Sequence, residues 1–245
     1  MRAFSVSDKG PVRKENQDHA EAVRIRAPRG TILLVCDGMG GANSGALAST
    51  LAAASYLERL KSLLSGSKKN AASVPDWMTE ACDAANTAVF ARAAADPADA
   101  GMGTTLVSAV VLGRRAELIN VGDSRAYLIR DHAITQITRD HSVVAELVAL
   151  GEITPEEALH HPNRNLITRA VGVEEQVKSD LFSLQLRRGD RLLLCSDGLS
   201  NTLSEEELLA LAGAGRSAAK VCHALVNRAV EKGARDNVSA AIGIF

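Results

Sequence analysis

Residues 103–137 read GTTLVSAVVLGRRAELINVGDSRAYLIRDHAITQI. Four runs rich in Val, Ile, Leu and Ala, Thr104 to Leu112, Ala116 to Val121, Arg125 to Ile129 and Ala133 to Ile137, are parted only by Gly-Arg-Arg, Gly-Asp-Ser and Arg-Asp-His. Links that short leave no room for a helical crossover, so the spacing predicts an antiparallel meander. Upstream, strands are expected at Arg2 to Val6, Ala20 to Arg26 and Thr31 to Cys36. Two helices then follow in succession. The first carries Leu47, Leu51, Ala54, Leu57, Leu60 and Leu64 at three- and four-residue steps, with Asn43 or Ser44 as N-cap. After a Gly/Ser/Lys-rich loop from Ser65 to Ala72, the second starts at Ser73 with Pro75 in its first turn.

Downstream of the meander a polar helical insert spans Ser142 to His161, with a capping-box arrangement at Thr154-Pro155-Glu156-Glu157. Strands at Asp180 to Leu186 and Arg191 to Ser196 follow, then helices opening at Ser204 and Ser217, and a last strand from Asn237 to Ile244. Helices come in consecutive pairs and do not alternate with strands. The fold class is therefore α+β, a sandwich of two antiparallel β-sheets flanked by pairs of α-helices. No linker divides the chain, and residues 1–245 are expected to form a single domain.

Chemistry enters where two apolar runs end alike. Ile32-Leu33-Leu34-Val35-Cys36 stops at Asp37-Gly38, and Leu192-Leu193-Leu194-Cys195-Ser196 stops at Asp197-Gly198. An ionised carboxylate at the inner end of a buried strand is costly unless a positive charge meets it. Asp236, before the last strand, adds a third. Three carboxylates with no His or Cys partner suit a hard divalent cation and argue against zinc. Gly38 permits a tight turn, so its own carbonyl can face a metal. Gly38-Met39-Gly40-Gly41 is not a dinucleotide-binding turn, because the third glycine position falls on Asn43 and Asp37 would repel a pyrophosphate.

Composition narrows the partners. With 46% hydrophobic residues but only 3% aromatic, Leu, Val, Ile and Ala must fill the core. A formal net charge of −1 gives no reason to expect nucleic acid or an anionic membrane as partner. Arg24, Arg26 and Arg29 read as a solvated hairpin edge. No stretch reaches the roughly 18 apolar residues of a membrane span, and the first five residues hold no apolar signal core, so a cytoplasmic protein is expected. Cys36, Cys82, Cys195 and Cys222 form no Cys-x-x-Cys pair and are expected as buried thiols, with Cys36 and Cys195 close if their strands are neighbours.

Eight short motifs in order, SDKGPVRKENQD (7–18), VCDGMGG (35–41), GTTLV (103–107), NVGDSRAYLIR (120–130), DHS (140–142), NLITRAVG (165–172), LLLCSDGLS (192–200) and ARDNVSAA (234–241), resemble the type 2C family of metal-dependent serine/threonine protein phosphatases, compact bacterial type. The resemblance implies two Mn2+ or Mg2+ ions bridged by Asp37. Asp197 and Asp236 complete one site, the Gly38 carbonyl and waters serve the other, and Asp18 holds a metal-bound water. A water between two metals about 3.5–4 Å apart attacks phosphorus in line. The resemblance further implies Arg13 as the phosphate-binding fork, a third metal shared by Asp123 and Asp197, and Asn237 orienting a metal-bound water. Read alone, Asp123 is equally a plain hairpin residue.

The family also implies a mobile flap, here about Ser142 to Arg169, carrying His160 and His161, with a structural hydrogen-bonding role for His141. Two positions depart from the pattern. Met39 stands where animal members carry a His that is a candidate general acid, and Gln17 where many relatives have Glu. The implied function is hydrolysis of phosphoserine and phosphothreonine in proteins, opposing a bacterial serine/threonine kinase, by a stand-alone monomer. Rival readings are a pseudophosphatase, which would need a lost ligand, and the same chemistry within a partner-switching pathway.

Overall fold

The computed structural model describes residues 1–26, 29–41, 44–66 and 73–245. Asn43 and residues 67–72 of the expected loop lie outside the described residues. The elements in order are β1 (Arg2–Asp8), β2 (Asp18–Ile25), β3 (Gly30–Met39), α1 (Ser44–Gly66), α2 (Val74–Ala95), β4 (Gly103–Thr104), β5 (Leu106–Leu112), β6 (Arg115–Val121), β7 (Arg125–Arg130) and β8 (Ala133–Gln136). Then come α3 (Val143–Ala149), α4 (Pro155–His160), β9 (Asp180–Gln185), β10 (Arg191–Cys195), α5 (Asp197–Ser200), α6 (Glu205–Gly213), α7 (Ala218–Glu231) and β11 (Val238–Ile244).

Two antiparallel sheets stack face to face, as expected for the α+β class. One runs β1-β11-β10-β7-β8, the other β2-β3-β5-β6-β9 with β4 paired to β3. Alternation explains the long apolar runs, since successive strand side chains point to opposite faces. Leu33 and Val35 meet Leu192, Leu194 and Ala241 between the sheets. Ile32, Leu34 and Cys36 pack outward under α1 and α2, while Leu193 and Cys195 pack outward under α6 and α7. Both faces of β3 and β10 are therefore buried, and no polar alternation shows in the sequence. The same parity separates the two cysteines. Cys36 and Cys195 lie in different sheets and under opposite helical layers, so their expected proximity is not observed. All four thiols are free and buried.

The meander is corrected at one link. β5–β6 and β7–β8 are hairpins, but β6 and β7 belong to different sheets. Gly122-Asp123-Ser124 is thus not a hairpin turn but the place where the chain steps from one sheet to the other. Gly122 has φ +101°, and a Cβ there would meet Thr105 Cγ2 at 2.6 Å, so glycine is required. The α1 stripe also differs. Ala48, Ala52, Ala53, Tyr56, Leu60 and Leu64 face the core, whereas Leu47 and Ala54 are exposed. Small residues let the first turns of α1 lie close against the end of β3, where a Cβ on Gly38 would sit 2.0 Å from the Gly45 carbonyl oxygen.

Candidate active site

The antiparallel register gathers one end of both sheets. Asp18 opens β2 directly opposite Asp37, near the end of β3. β3 does not stop at Asp37-Gly38 but pairs on through Met39 with β4. Asp197 follows β10 and begins the short helix α5, so the two Asp-Gly pairs are not equivalent. Asp236 precedes β11, next to β10, and Asp123 arrives by the sheet crossing.

Hydroxyls hold these acids. The Asp37 N–H donates to Thr105 Oγ1 at 2.9 Å, and its carbonyl accepts from the Thr105 N–H at 2.8 Å and Thr104 Oγ1 at 2.9 Å. Thr105 Oγ1 in turn lies 2.7 Å from Ser124 Oγ, beside Asp123. Ser196 Oγ donates to Asp18 Oδ2 at 2.7 Å and accepts from the Ser239 N–H at 3.0 Å. Thr104, Thr105, Ser124, Ser196 and Ser239 went unnoticed in the sequence, because a hydroxyl beside a strand end carries no pattern of its own.

The electrostatics are those of carboxylates crowded out of water. Burial and then the charges of Asp18, Asp197, Asp123 and Asp236 hold the Asp37 carboxyl well above its ordinary range. Burial pushes Asp18 up to about 7 against hydrogen bonds from Ser239 and Ser196. Burial and Asp197 push Asp123 to about 7. Asp197 is raised by burial and then Asp236. Asp37 feels all four of the other carboxylates, Asp18 and Asp197 most strongly. Asp18 Oδ1 and Asp197 Oδ1 are buried without a hydrogen-bond partner. Such orphaned oxygens are rare and call for a missing partner.

The donor set is all oxygen and fits hard divalent cations. Among the described residues, no three acidic, His or Cys side chains are already arranged as a group that could hold a metal. Two of them are engaged by side-chain donors: Arg13 donates to Asp236 Oδ2 at 2.6 Å and Asn201 Nδ2 to Asp197 Oδ2 at 3.1 Å. The Gly38 carbonyl oxygen lies against the start of α1, 2.9 Å from where a Cβ of Gly45 would be.

Asn237 is tied into the loop that precedes β2. Its amide nitrogen donates to the Lys9 and Glu15 carbonyls, both at 2.8 Å, and its oxygen accepts from the Gln17 N–H at 2.9 Å. An amide so engaged braces the loop that carries Arg13. Gly198 makes this contact possible, since a Cβ there would lie 2.0 Å from the Asn237 carbonyl oxygen. Arg13 itself is half exposed at the rim. Beside the acids, a cleft of about 480 Å³ is lined by Met39, Arg169, Val173, Glu174, Val177 and Lys178. In the insert, α3 and α4 are capped by Ser142 and by a Thr154–Glu157 capping box, and His160 is exposed.

Comparison with known proteins places the chain in a family. Residues 13–240 match the family model described as Protein phosphatase 2C. The chain is 34% identical over 239 residues to the serine/threonine phosphatase Stp of Listeria monocytogenes, covering 98% of this chain and 94% of that protein. It is 39% identical over 244 residues to the serine/threonine protein phosphatase PstP of Mycobacterium tuberculosis, covering 99% of this chain but 44% of that longer protein. The crystal structure of the PstP catalytic domain in complex with two manganese ions superposes with a TM-score of 0.85 at 37% identity, covering 98% of this chain and 96% of that one.

Proposed function

Because this chain belongs to the protein phosphatase 2C family and is a serine/threonine protein phosphatase, we propose that Asp37, Asp197 and Asp236 hold its catalytic cations. Asp37 would contribute to both primary sites with Asp18 and the Gly38 carbonyl beside it, and Asp123 and Asp197 would share a third. The observation that carries this reading is the pair of buried, unpartnered oxygens, Asp18 Oδ1 and Asp197 Oδ1, on carboxyls that crowd Asp37. Mn2+ or Mg2+ would satisfy them and, bound there, would supply Lewis acidity and a water of lowered pKa.

The chain's own groups do the rest. Arg13, released from Asp236, grips two phosphate oxygens with its planar fork. Thr105 and Ser196 keep Asp37 and Asp18 in place, and the loop braced by Asn237 holds Arg13 at the rim. The cleft beside Met39 receives polypeptide flanking the phosphorylated residue. Met39 carries no proton, so no side chain at that position serves as general acid. No ligand residue of the reading is missing, which disfavours a pseudophosphatase. Residues 1–245 act as one catalytic domain, with residues 142–169 as its flap. We further place the enzyme in the cytoplasm as a monomer opposing a serine/threonine kinase; among the described residues no helix is long and apolar enough to cross a membrane. Mn2+-dependent hydrolysis of a phosphothreonine peptide, lost in Asp197→Ala, tests the reading. Full activity in that variant overturns the site assignment.

A further inference from the structure

Asp123 owes its place to a segment that forms no ladder with either sheet. Gly122 carries it across, and His141 grips Gly122 at both ends. The Gly122 N–H donates to His141 Nδ1 at 3.1 Å, and the His141 N–H donates to the Gly122 carbonyl at 3.0 Å. The same carbonyl accepts from Asn120 Nδ2 at 3.1 Å. His141 is buried, so these bonds face little competition from water. Its own carbonyl accepts from the Thr168 N–H at 2.8 Å, at the base of the insert, and the adjacent Ser142 forms a bridge with Ile167.

The ring is oriented from its far side. Because Nδ1 accepts from a backbone N–H, the neutral ring carries its proton on Nε2. That nitrogen lies 3.2 Å from both Asp180 Oδ2 and Arg169 Nη1, and its proton goes to the Asp180 carboxylate, which also accepts from Arg169 Nη1 through Oδ1 at 2.9 Å. Burial keeps the imidazole neutral. Hydrogen bonds from His141 and Arg169 outweigh the burial of Asp180 and keep it ionised. One residue therefore joins three parts: the sheet crossing at Gly122, the start of β9 at Asp180, and the end of the flap at Thr168 and Arg169.

We propose that His141, oriented by Asp180, is the positioning residue that couples the flap to the carboxylate of Asp123. The proposal rests on the reading of Asp123 as part of a third cation site. Slackening the His141 grip frees Gly122, whose left-handed φ only the surrounding contacts hold, and lets Asp123 drift from Asp197. The coupling is reciprocal, since any flap contact that tightens Thr168 and Arg169 on His141 must tighten cation binding at Asp123 by the same factor.

The test measures Mn2+ binding to the whole protein by titration calorimetry, and amide exchange of residues 142–169, in the wild type, His141→Ala, His141→Asn and Asp123→Asn. Asp123→Asn is expected to remove the weakest Mn2+ class. His141→Ala is expected to weaken that class by roughly tenfold, the usual result of losing an outer partner of a ligand, and to speed flap exchange. His141→Asn keeps an acceptor near Nδ1 but loses the reach to Asp180, so it is expected to recover only part of the weak-class affinity while flap exchange stays fast. A merely structural histidine would lower the melting temperature without moving the weakest Mn2+ class selectively. Unchanged weak-class affinity in His141→Ala, with that class lost in Asp123→Asn, overturns the coupling and leaves the site standing. A wild-type isotherm in Asp123→Asn overturns the third-site reading and the proposal with it. Should His141→Ala not fold, His141→Asn decides, since wild-type flap exchange in that variant also overturns the coupling.

Discussion

Replacing Asp18 with asparagine should make the metal-free protein less sensitive to pH and, above neutrality, more stable. In the fold, burial moves the carboxyl from 3.8 to about 7, against hydrogen bonds from Ser239 and Ser196. Between those values the folded chain keeps a proton that the unfolded chain releases. The unfolding free energy therefore falls as pH rises, by about 1.4 kcal/mol per pH unit and about 4 kcal/mol in all. The contribution is complete below the unfolded value and gone above about pH 7. Burial moves Asp123 in the same direction, also to about 7, and raises Asp37 and Asp197. Asparagine cannot ionise, so at pH 8 the variant should gain up to about 4 kcal/mol over the wild type, or roughly 8–16 °C for a chain of this length. Saturating Mn2+ should reverse the ranking, because binding to the folded state stabilises the wild type and much less the variant. Thermal unfolding followed by circular dichroism in EDTA at pH 5, 6, 7 and 8, with and without Mn2+, reads all of this. A metal-free wild type that gains stability from pH 5 to 8, or a variant equally sensitive to pH, would refute the burial argument.

Three further outcomes are expected. Arg13→Lys should raise the KM for a phosphothreonine peptide by on the order of tenfold, because an ammonium cannot reproduce the bidentate fork, while Mn2+ binding measured by calorimetry is not weakened. Gly198→Ala forces a Cβ within 2.0 Å of the Asn237 carbonyl oxygen and should cost about 1–3 kcal/mol in urea unfolding, with a loss of activity as the Arg13 loop shifts. The Cys82, Cys195 and Cys222 thiols, pushed by burial to about 12, should resist alkylation in the native protein and react only once it is unfolded, as intact-mass measurement would show.

Much of this was legible because it is local. A carboxylate placed after a buried strand, a glycine beside it and the capping residues of α4 and α6 act within a few positions of the chain, so order and spacing reveal them. The paired helices and short links were enough to identify an antiparallel sandwich. Other features depend on which residues of a regular element face inward. The α1 stripe was misread because alanines, not only leucines, form the face that lies against β3. The Asn237 amide also closes on Lys9, Glu15 and Gln17, a brace that no motif announces. Contacts spanning more than two hundred residues leave no periodic trace.

The sequence by itself determined the succession of strands and helices, the candidate aspartates and Arg13, and the order of motifs, since each follows from side-chain chemistry over a short window. Only the tertiary structure decided that Gly122-Asp123-Ser124 crosses between sheets and that His141 holds the crossing. A hairpin turn and a sheet crossing use the same short Gly-Asp-Ser link. They differ in which face β7 can bury, and burial belongs to the whole packed sandwich, not to the link.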